Sequence, residues 1–178
     1  YCIVPYTRGR ERSRDMNTII KEVKDALKDG FKEITLLGQN VDSYGKDLED
    51  TNLSKLLREL NSIEGQFRIR FVTSYPTDIT DELIQTVNEC DKVCEYFHIP
   101  MQSGSDYTLK KMNRRYDRKT YGEICHKIRT LVPDVTITSD FIAGFPGETE
   151  EQFEETLSAM REFELDYSNT AAYSPRKG

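Results

Sequence analysis

Four loops rich in glycine and polar side chains stand out: Gly38-Gln39-Asn40, Ser74-Tyr75-Pro76, Gln102-Ser103-Gly104-Ser105 and Gly144-Phe145-Pro146-Gly147. Each follows a short apolar run. Glycine has no side chain, so backbone groups at such positions can approach a ligand closely. The chemistry this fits is a loop-built binding pocket. G-x-x-x-x-G-K-[ST] and G-x-G-x-x-G are both absent, so a phosphate-binding loop and a nicotinamide site have no support. There are two histidines. His98 lies in an apolar run and reads as packed; His126 lies on a helical segment and reads as surface or helix packing. No Ser/His/Asp set can be read from order alone. Asp140, beside Ser139 in an apolar run, needs a partner because an unpaired buried charge is costly. It either binds a ligand or locks a neighbouring loop. Cys90 and Cys94 are four apart, near the end of one expected helix, and no second pair completes a zinc site. They read as ordinary buried cysteines.

The elements that must position these loops alternate helix and strand. Asp15 can cap a helix with Ile19, Ile20, Val23 and Leu27 on one face, stopped by Gly30. Glu33 to Leu37 reads as a strand, followed by a polar loop to about Asn52. Leu53 to Ile63 is a helix with Leu53, Leu56, Leu57 and Leu60 on one stripe. Phe67 to Thr73 is a strand, Thr80 to about Cys90 a helix, and Tyr96 to Ile99 a strand broken by Pro100. A short helix follows over Asp106 to Met112, and a longer one from Arg118 to Leu131. Val135 to Ala143 is the strongest strand signal. Thr149 and Gln152 have capping-box spacing for a helix to about Phe163, and Tyr167 to Tyr173 closes the series. Five strands separated by helices imply parallel pairing with right-handed crossovers. This is α/β architecture, either a partial barrel or a doubly wound sheet. In both, ligands bind at the carboxyl ends of the strands, where the four loops lie.

The length of 178 residues suits one domain. With 37% hydrophobic and 31% charged residues, membrane and disordered classes are excluded. Four cysteines are too few for a disulfide scaffold, so a reducing cytoplasm is expected. Net charge is −6, a poor match to a surface that grips nucleic acid everywhere. The charge is uneven, however. Arg8 to Arg14 carries +3, Lys110 to Lys119 carries +5, and Glu148 to Glu164 carries −6. Two local basic patches can meet phosphate; otherwise they are solvated faces and loop rims.

The opening segment, Tyr1 to Arg14 (YCIVPYTRGRERSR), resembles the end of the C-x3-C-x2-C cluster loop of the radical S-adenosylmethionine (SAM) enzymes. More closely, it is similar to the tRNA methylthiotransferases of the MiaB type. Further matches run along almost the whole chain: Thr35 to Val41 (TLLGQNV), His98 to Ser105 (HIPMQSGS), Lys111 to Tyr116 (KMNRRY), Gly144 to Glu151 (GFPGETEE) and Tyr173 to Arg176 (YSPR). Within the family, Leu-Gly-Gln-Asn resembles the branch that modifies isopentenylated adenosine beside the anticodon. It differs from the branches acting on threonylcarbamoyladenosine or on a ribosomal-protein aspartate. Tyr75 stands where relatives commonly have His before Pro.

The resemblance implies a partial (β/α)6 TIM-like barrel, a [4Fe-4S] cluster, SAM and a tRNA substrate. It implies that a 5′-deoxyadenosyl radical takes hydrogen from C2 of the adenine before a methylthio group is added. Cys2 becomes a cluster ligand. Tyr1 and Ile142, Ala143 and Gly144 would face the SAM adenine, and Gly38, Gln39 and Asn40 would hold the methionine amino group. Gln102 and Ser103 become ribose or carboxylate contacts. Arg115 is placed toward the SAM carboxylate and Arg114 toward RNA phosphate, since the guanidinium fork suits either. Arg8, Arg10, Arg12 and Arg14 would line the cluster mouth as RNA contacts. The first two cluster cysteines, an N-terminal domain with an auxiliary [4Fe-4S] cluster and a C-terminal TRAM domain are expected outside these residues. The expectation is the middle of a longer monomeric, cytoplasmic enzyme, inactive as this piece alone. A non-catalytic barrel fragment that binds RNA or another domain is the competing class.

Overall fold

The computed structural model describes Thr7 and residues 9–175. Its first helix, α1 (Met16–Lys28), starts where the Asp15 side chain accepts from the Thr18 N–H. Strand β1 (Glu33–Leu37) follows, then helix α2 (Leu53–Asn61), strand β2 (Arg68–Val72) and helix α3 (Asp81–Glu89). Strand β3 (Tyr96–His98) leads to the short helix α4 (Asp106–Lys111) and to α5 (Arg118–Leu131). Strand β4 (Thr136–Ala143), helix α6 (Glu150–Glu162) and strand β5 (Tyr167–Ala172) complete the described order. Each expected element is present, shorter by a residue or two at several ends. The Thr149–Gln152 capping box forms in both directions. One expectation needs correcting: α3 ends at Glu89, so Cys90 is its cap and Cys94 lies beyond the helix.

All strand pairs are parallel: β1 with β2, β3 with β4, and β4 with β5. The two ladders meet side by side where Ile69 bridges Val93 and the Cys94 N–H donates to the Ile69 carbonyl at 2.9 Å. Side chains alternate across a strand, and here the alternation separates two environments. Ile34, Leu36, Ile69, Phe71, Phe97, Ile137 and Phe141 all join one apolar core with the helices. Phe71 and Phe97 meet edge to face at 5.5 Å. Val23 of α1, Leu57 of α2, Ile84 of α3, Ile128 of α5 and Ala159 of α6 belong to the same core. Helices therefore cover one face of the sheet. A doubly wound sheet needs them on both, so the partial barrel is the architecture present.

Residues of the opposite parity (Thr35, Arg70, Tyr96, His98, Thr138, Asp140 and Asn169) form the uncovered inner face. No helix among the described residues is long and apolar enough to cross a membrane.

Candidate functional site

The carboxyl ends of the strands are tied to one another by backbone bonds. The Val41 N–H donates to the Thr73 carbonyl at 3.0 Å, and the Ser74 N–H to His98 at 2.9 Å. The Gln102 N–H donates to Asp140 at 2.8 Å, Ile142 returns a bond to the Gln102 carbonyl at 2.9 Å, and Tyr173 donates to Ala143 at 2.8 Å. The four loops thus form one rim. Gln102 sits there with φ +76°, a conformation that costs a non-glycine residue about 1–2 kcal/mol. Such strain persists where the surroundings impose it, commonly at ligand sites.

The rim brings together Gly38, Gln39, Asn40, Gln102, Ile142, Ala143 and Gly144. Gly38, Gln39 and Gly144 are exposed. Asn40 is half-buried, its Nδ2 donating to Asp78. Ser103 lies beneath the rim with 0% exposure, its hydroxyl 3.2 Å from Thr156 Oγ1. Tyr1, Cys2 and Arg8 lie outside the described residues. Residues 9–14 run across the end of β1, where a cleft of about 340 Å³ is lined by Arg10, Arg12, Arg14, Leu37, Gly38 and Gln39. The loop after β1 clamps this segment: the Gly45 N–H donates to Ser13 Oγ at 2.9 Å, and Tyr44 Oη–H to the Arg14 carbonyl at 2.9 Å.

The Gly144 loop is a type II turn, with Pro146 and Gly147 at its centre and the Glu148 N–H donating to the Phe145 carbonyl at 2.8 Å. Glu148 Oε2 accepts from the Gly144 N–H at 2.6 Å, and its Oε1 is buried without a partner. Gly144 itself has φ +72° with open space around its Cβ position. Gly144→Val therefore meets strain rather than collision, and the fold is expected to survive. A β-branched residue at this angle reshapes the loop. We expect about tenfold weaker SAM binding by calorimetry on the cluster-loaded full-length protein; unchanged affinity would remove the loop from the site.

Sequence reasoning missed the polar row on the inner face. His98 Nε2 lies 3.1 Å from Asp140 Oδ2, and its Nδ1 is 2.9 Å from Thr138 Oγ1. Tyr96 Oη is 2.8 Å from the same hydroxyl, and Asn169 Nδ2 donates to Asp140 Oδ1 at 3.0 Å. A carboxylate only accepts, so Nε2 carries the hydrogen toward Asp140. In the neutral ring Nδ1 then accepts from Thr138, whose oxygen accepts from Tyr96. Asp140 has the partner its position demanded. The signal was available: polar residues at alternate positions, Tyr96 and His98 in β3 and Thr136, Thr138 and Asp140 in β4.

Arg115 is exposed, and among the described residues its guanidinium makes no ion pair. Arg114 is half-buried, stacked 5.9 Å over the Tyr75 ring. Tyr75 Oη accepts from the Arg115 N–H at 3.3 Å, so this tyrosine ties the β2 loop to the basic segment. The ion pair with the acidic helix is made by Arg118, to Glu162. Arg10, Arg12 and Arg14 are exposed, Arg14 pairing with Glu22 at 2.6 Å.

Among the described residues no three His, Cys, Asp or Glu side chains gather as a metal site. Burial pushes the Cys125 thiol up to about 12 and raises that of Cys90, so neither offers a thiolate near neutral pH.

A model of the Radical SAM superfamily matches residues 1–160. The chain belongs to that superfamily. Membership implies a [4Fe-4S] cluster and SAM as cofactors, and the rim fits the latter: exposed glycine backbone at two strand ends, and an orphaned carboxylate oxygen at Glu148 that takes a donor.

Among individual proteins, the chain is 56% identical over 179 aligned residues to tRNA-2-methylthio-N(6)-dimethylallyladenosine synthase of Clostridium tetani (strain Massachusetts / E88), covering 100% of this chain and 40% of that one. It is 58% identical to the protein of the same name from Thermoanaerobacter pseudethanolicus (strain ATCC 33223 / 39E), covering 100% and 38%. The chain thus spans about two fifths of the length of these curated relatives. Two solved structures share the fold. Streptococcus suis SuiB superposes with TM-score 0.66 at 12% identity, over 95% of this chain and 36% of its own. The cobalamin-dependent SAM radical enzyme OxsB gives TM-score 0.64 at 13%, over 84% and 22%.

Proposed function

We propose that these residues are the catalytic core of a tRNA methylthiotransferase that modifies C2 of N6-isopentenyladenosine beside the anticodon. The observation that carries this reading is identity above 55% over the full length of the chain to proteins named for that product. The bound cofactors supply one-electron chemistry able to break an unactivated C–H bond. The chain's own task is position and dryness. Gly38 and Gln39 approach the methionine end of SAM by backbone, and the Ile142–Gly144 strand end lies against its adenine. Gln102 borders the ribose, with Ser103 as packing support beneath it, and Arg115 faces the carboxylate. Cys2, beside Tyr1, is the ligand this piece contributes to the cluster.

The target adenine must leave its stack to reach the rim. Arg8, Arg10, Arg12, Arg14 and Arg114 meet the surrounding phosphates. The sulfur would come from an auxiliary cluster held elsewhere in the full-length protein. The whole protein works in the cytoplasm as a monomer.

Nucleoside mass spectrometry of tRNA from cells with and without the full-length protein tests the substrate. Loss of methylthio-isopentenyladenosine with accumulation of isopentenyladenosine is expected. An unchanged nucleoside would redirect the reading to threonylcarbamoyladenosine or a protein side chain.

A further inference from the structure

The loop after β1 reaches the rim with two of its three residues open and the third turned inward. Asn40 is half-buried, and its Nδ2 donates to Asp78 Oδ2. Its Oδ1 is buried with no partner. An amide oxygen facing a carboxylate would be repelled, so this bond decides which end of the amide meets Asp78. Asp78 comes from a different loop, the single helical turn Pro76–Asp78 after β2. Its second oxygen, Oδ1, is held by Lys46 Nζ at 2.6 Å. Lys46 belongs to the same post-β1 loop as Asn40, so Asp78 grips that loop at two points six residues apart. Between them Ser43 Oγ is 2.7 Å from the Asn40 carbonyl and 2.7 Å from Glu11 Oε2. The segment following Cys2 is thereby fastened to the same loop.

We infer that Asp78 is a positioning residue: through Asn40 and Lys46 it holds the Gly38-Gln39 backbone in the register that receives SAM, and Asn40 acts as its strut rather than as a ligand contact. The inference rests on the proposed SAM site and goes beyond it in assigning a role to the β2 loop. Val41 and Tyr44 anchor the far part of the loop in the core, but the exposed Gly38 and Gln39 bring no packed side chain of their own to fix the stretch between β1 and Asn40. Without the strut, its ordering falls to the ligand, and that lowers affinity.

The test is a double-mutant cycle on the full-length, cluster-loaded protein, with SAM affinity measured by calorimetry and the reduced cluster's electron paramagnetic resonance followed on SAM addition. Asp78→Ala and Asn40→Ala should each weaken SAM binding about tenfold. The double variant should also lose about tenfold, because both changes cut one strut. Asp78→Ser, too short to reach the amide, should match alanine. Asp78→Asn, which still offers an oxygen, should stay within about threefold of wild type. These two polar variants carry the test if Asp78→Ala does not fold. Once saturated with SAM, every variant should give the wild-type resonance.

Losses that multiply to about a hundredfold would make Asn40 a direct contact and overturn the inference. So would wild-type affinity in Asp78→Ser. In either case wild-type SAM binding leaves the proposed function standing. A wild-type protein that binds cluster but no SAM would overturn both.

Discussion

Gly104→Ala is expected to lower the stability of the fold by about 3 kcal/mol, the upper part of the range for overpacked cores. A Cβ at this position would lie 2.6 Å from the Glu155 carbonyl oxygen, 2.6 Å from Thr156 Cα and 2.8 Å from Ala159 Cβ. Two of the three are backbone atoms of α6, which cannot rotate away. The loop is also bonded to that helix, since the Gly104 N–H donates to Thr156 Oγ1 at 2.9 Å. Accommodating a methyl group means moving the helix or the loop. The loop carries Gln102, whose backbone joins β3 to β4 at the rim, so the damage reaches the site as well as the core. Urea denaturation of the wild type and variant measures the effect. Ala159→Gly added to Gly104→Ala should recover little, because the backbone contacts remain. A midpoint unchanged in Gly104→Ala would mean that α6 does not press on this loop.

The same helix illustrates what sequence can and cannot reveal. Its start was legible to the residue, because a capping box is a local device: Thr149 and Gln152 satisfy each other's backbone groups at a fixed spacing. Parallel pairing also followed from alternation alone. The choice between a partial barrel and a doubly wound sheet did not. It depends on which face the crossovers cover, and both choices bury strand residues of similar character. Only the shared core of Ile69, Phe97, Ile137 and five helices decides it. The Cys90–Cys94 pair shows the opposite failure. Spacing of four suggested one helix, but α3 stops at its Cys90 cap and the chain turns.

At the site, the loops were legible and the duties within them were not. Gly38-Gln39-Asn40 is a contiguous polar stretch, and nothing local separates a residue that faces a ligand from one that braces. The separation comes from Asp78, 38 residues on. Ser103 likewise looks like a ligand contact in sequence, and its burial against Thr156 arises from a helix 53 residues away. Among the basic residues, Arg118 pairs with the acidic helix while Arg115 stays open. The difference is helix geometry: Arg118 begins α5, whose side meets α6.

Asp42→Asn is expected to make the protein more stable at pH 8 by about 2 kcal/mol, and to change little near pH 4. Asp42 lies in the turn Val41–Ser43 after β1. Burial is the largest influence on its carboxyl, and the nearby Asp78 charge acts in the same direction, together raising it to about 7. The Ser74 hydroxyl, 3.1 Å from Oδ1, the Tyr75 N–H and the Lys46 charge oppose the rise without cancelling it. Its Oδ2 is buried with no partner, a poor setting for a full negative charge. The sign follows directly. The folded state binds this proton more tightly than the unfolded chain, whose carboxyl titrates near 3.8. The stabilisation is therefore complete below about pH 4 and is lost as pH rises through 7. Each unit of difference is worth about 1.4 kcal/mol, giving a ceiling near 4; partial access of water to the turn about halves it. Asparagine keeps the neutral shape and an oxygen for the Ser74 hydroxyl at every pH, so it removes the slope. Urea unfolding of both proteins at pH 5, 6.5 and 8 measures the difference, which should widen with pH. Parallel curves would mean that Asp42 is already charged at pH 5 and that the turn is open to water. The widening matters for function because Asp42 shares Asp78 with the Asn40 strut. Ionisation at Asp42 as pH rises through 7 sets two negative charges side by side beneath the loop proposed to receive SAM, so the stability lost between about pH 4 and pH 7 and a loosening of that loop have one electrostatic cause.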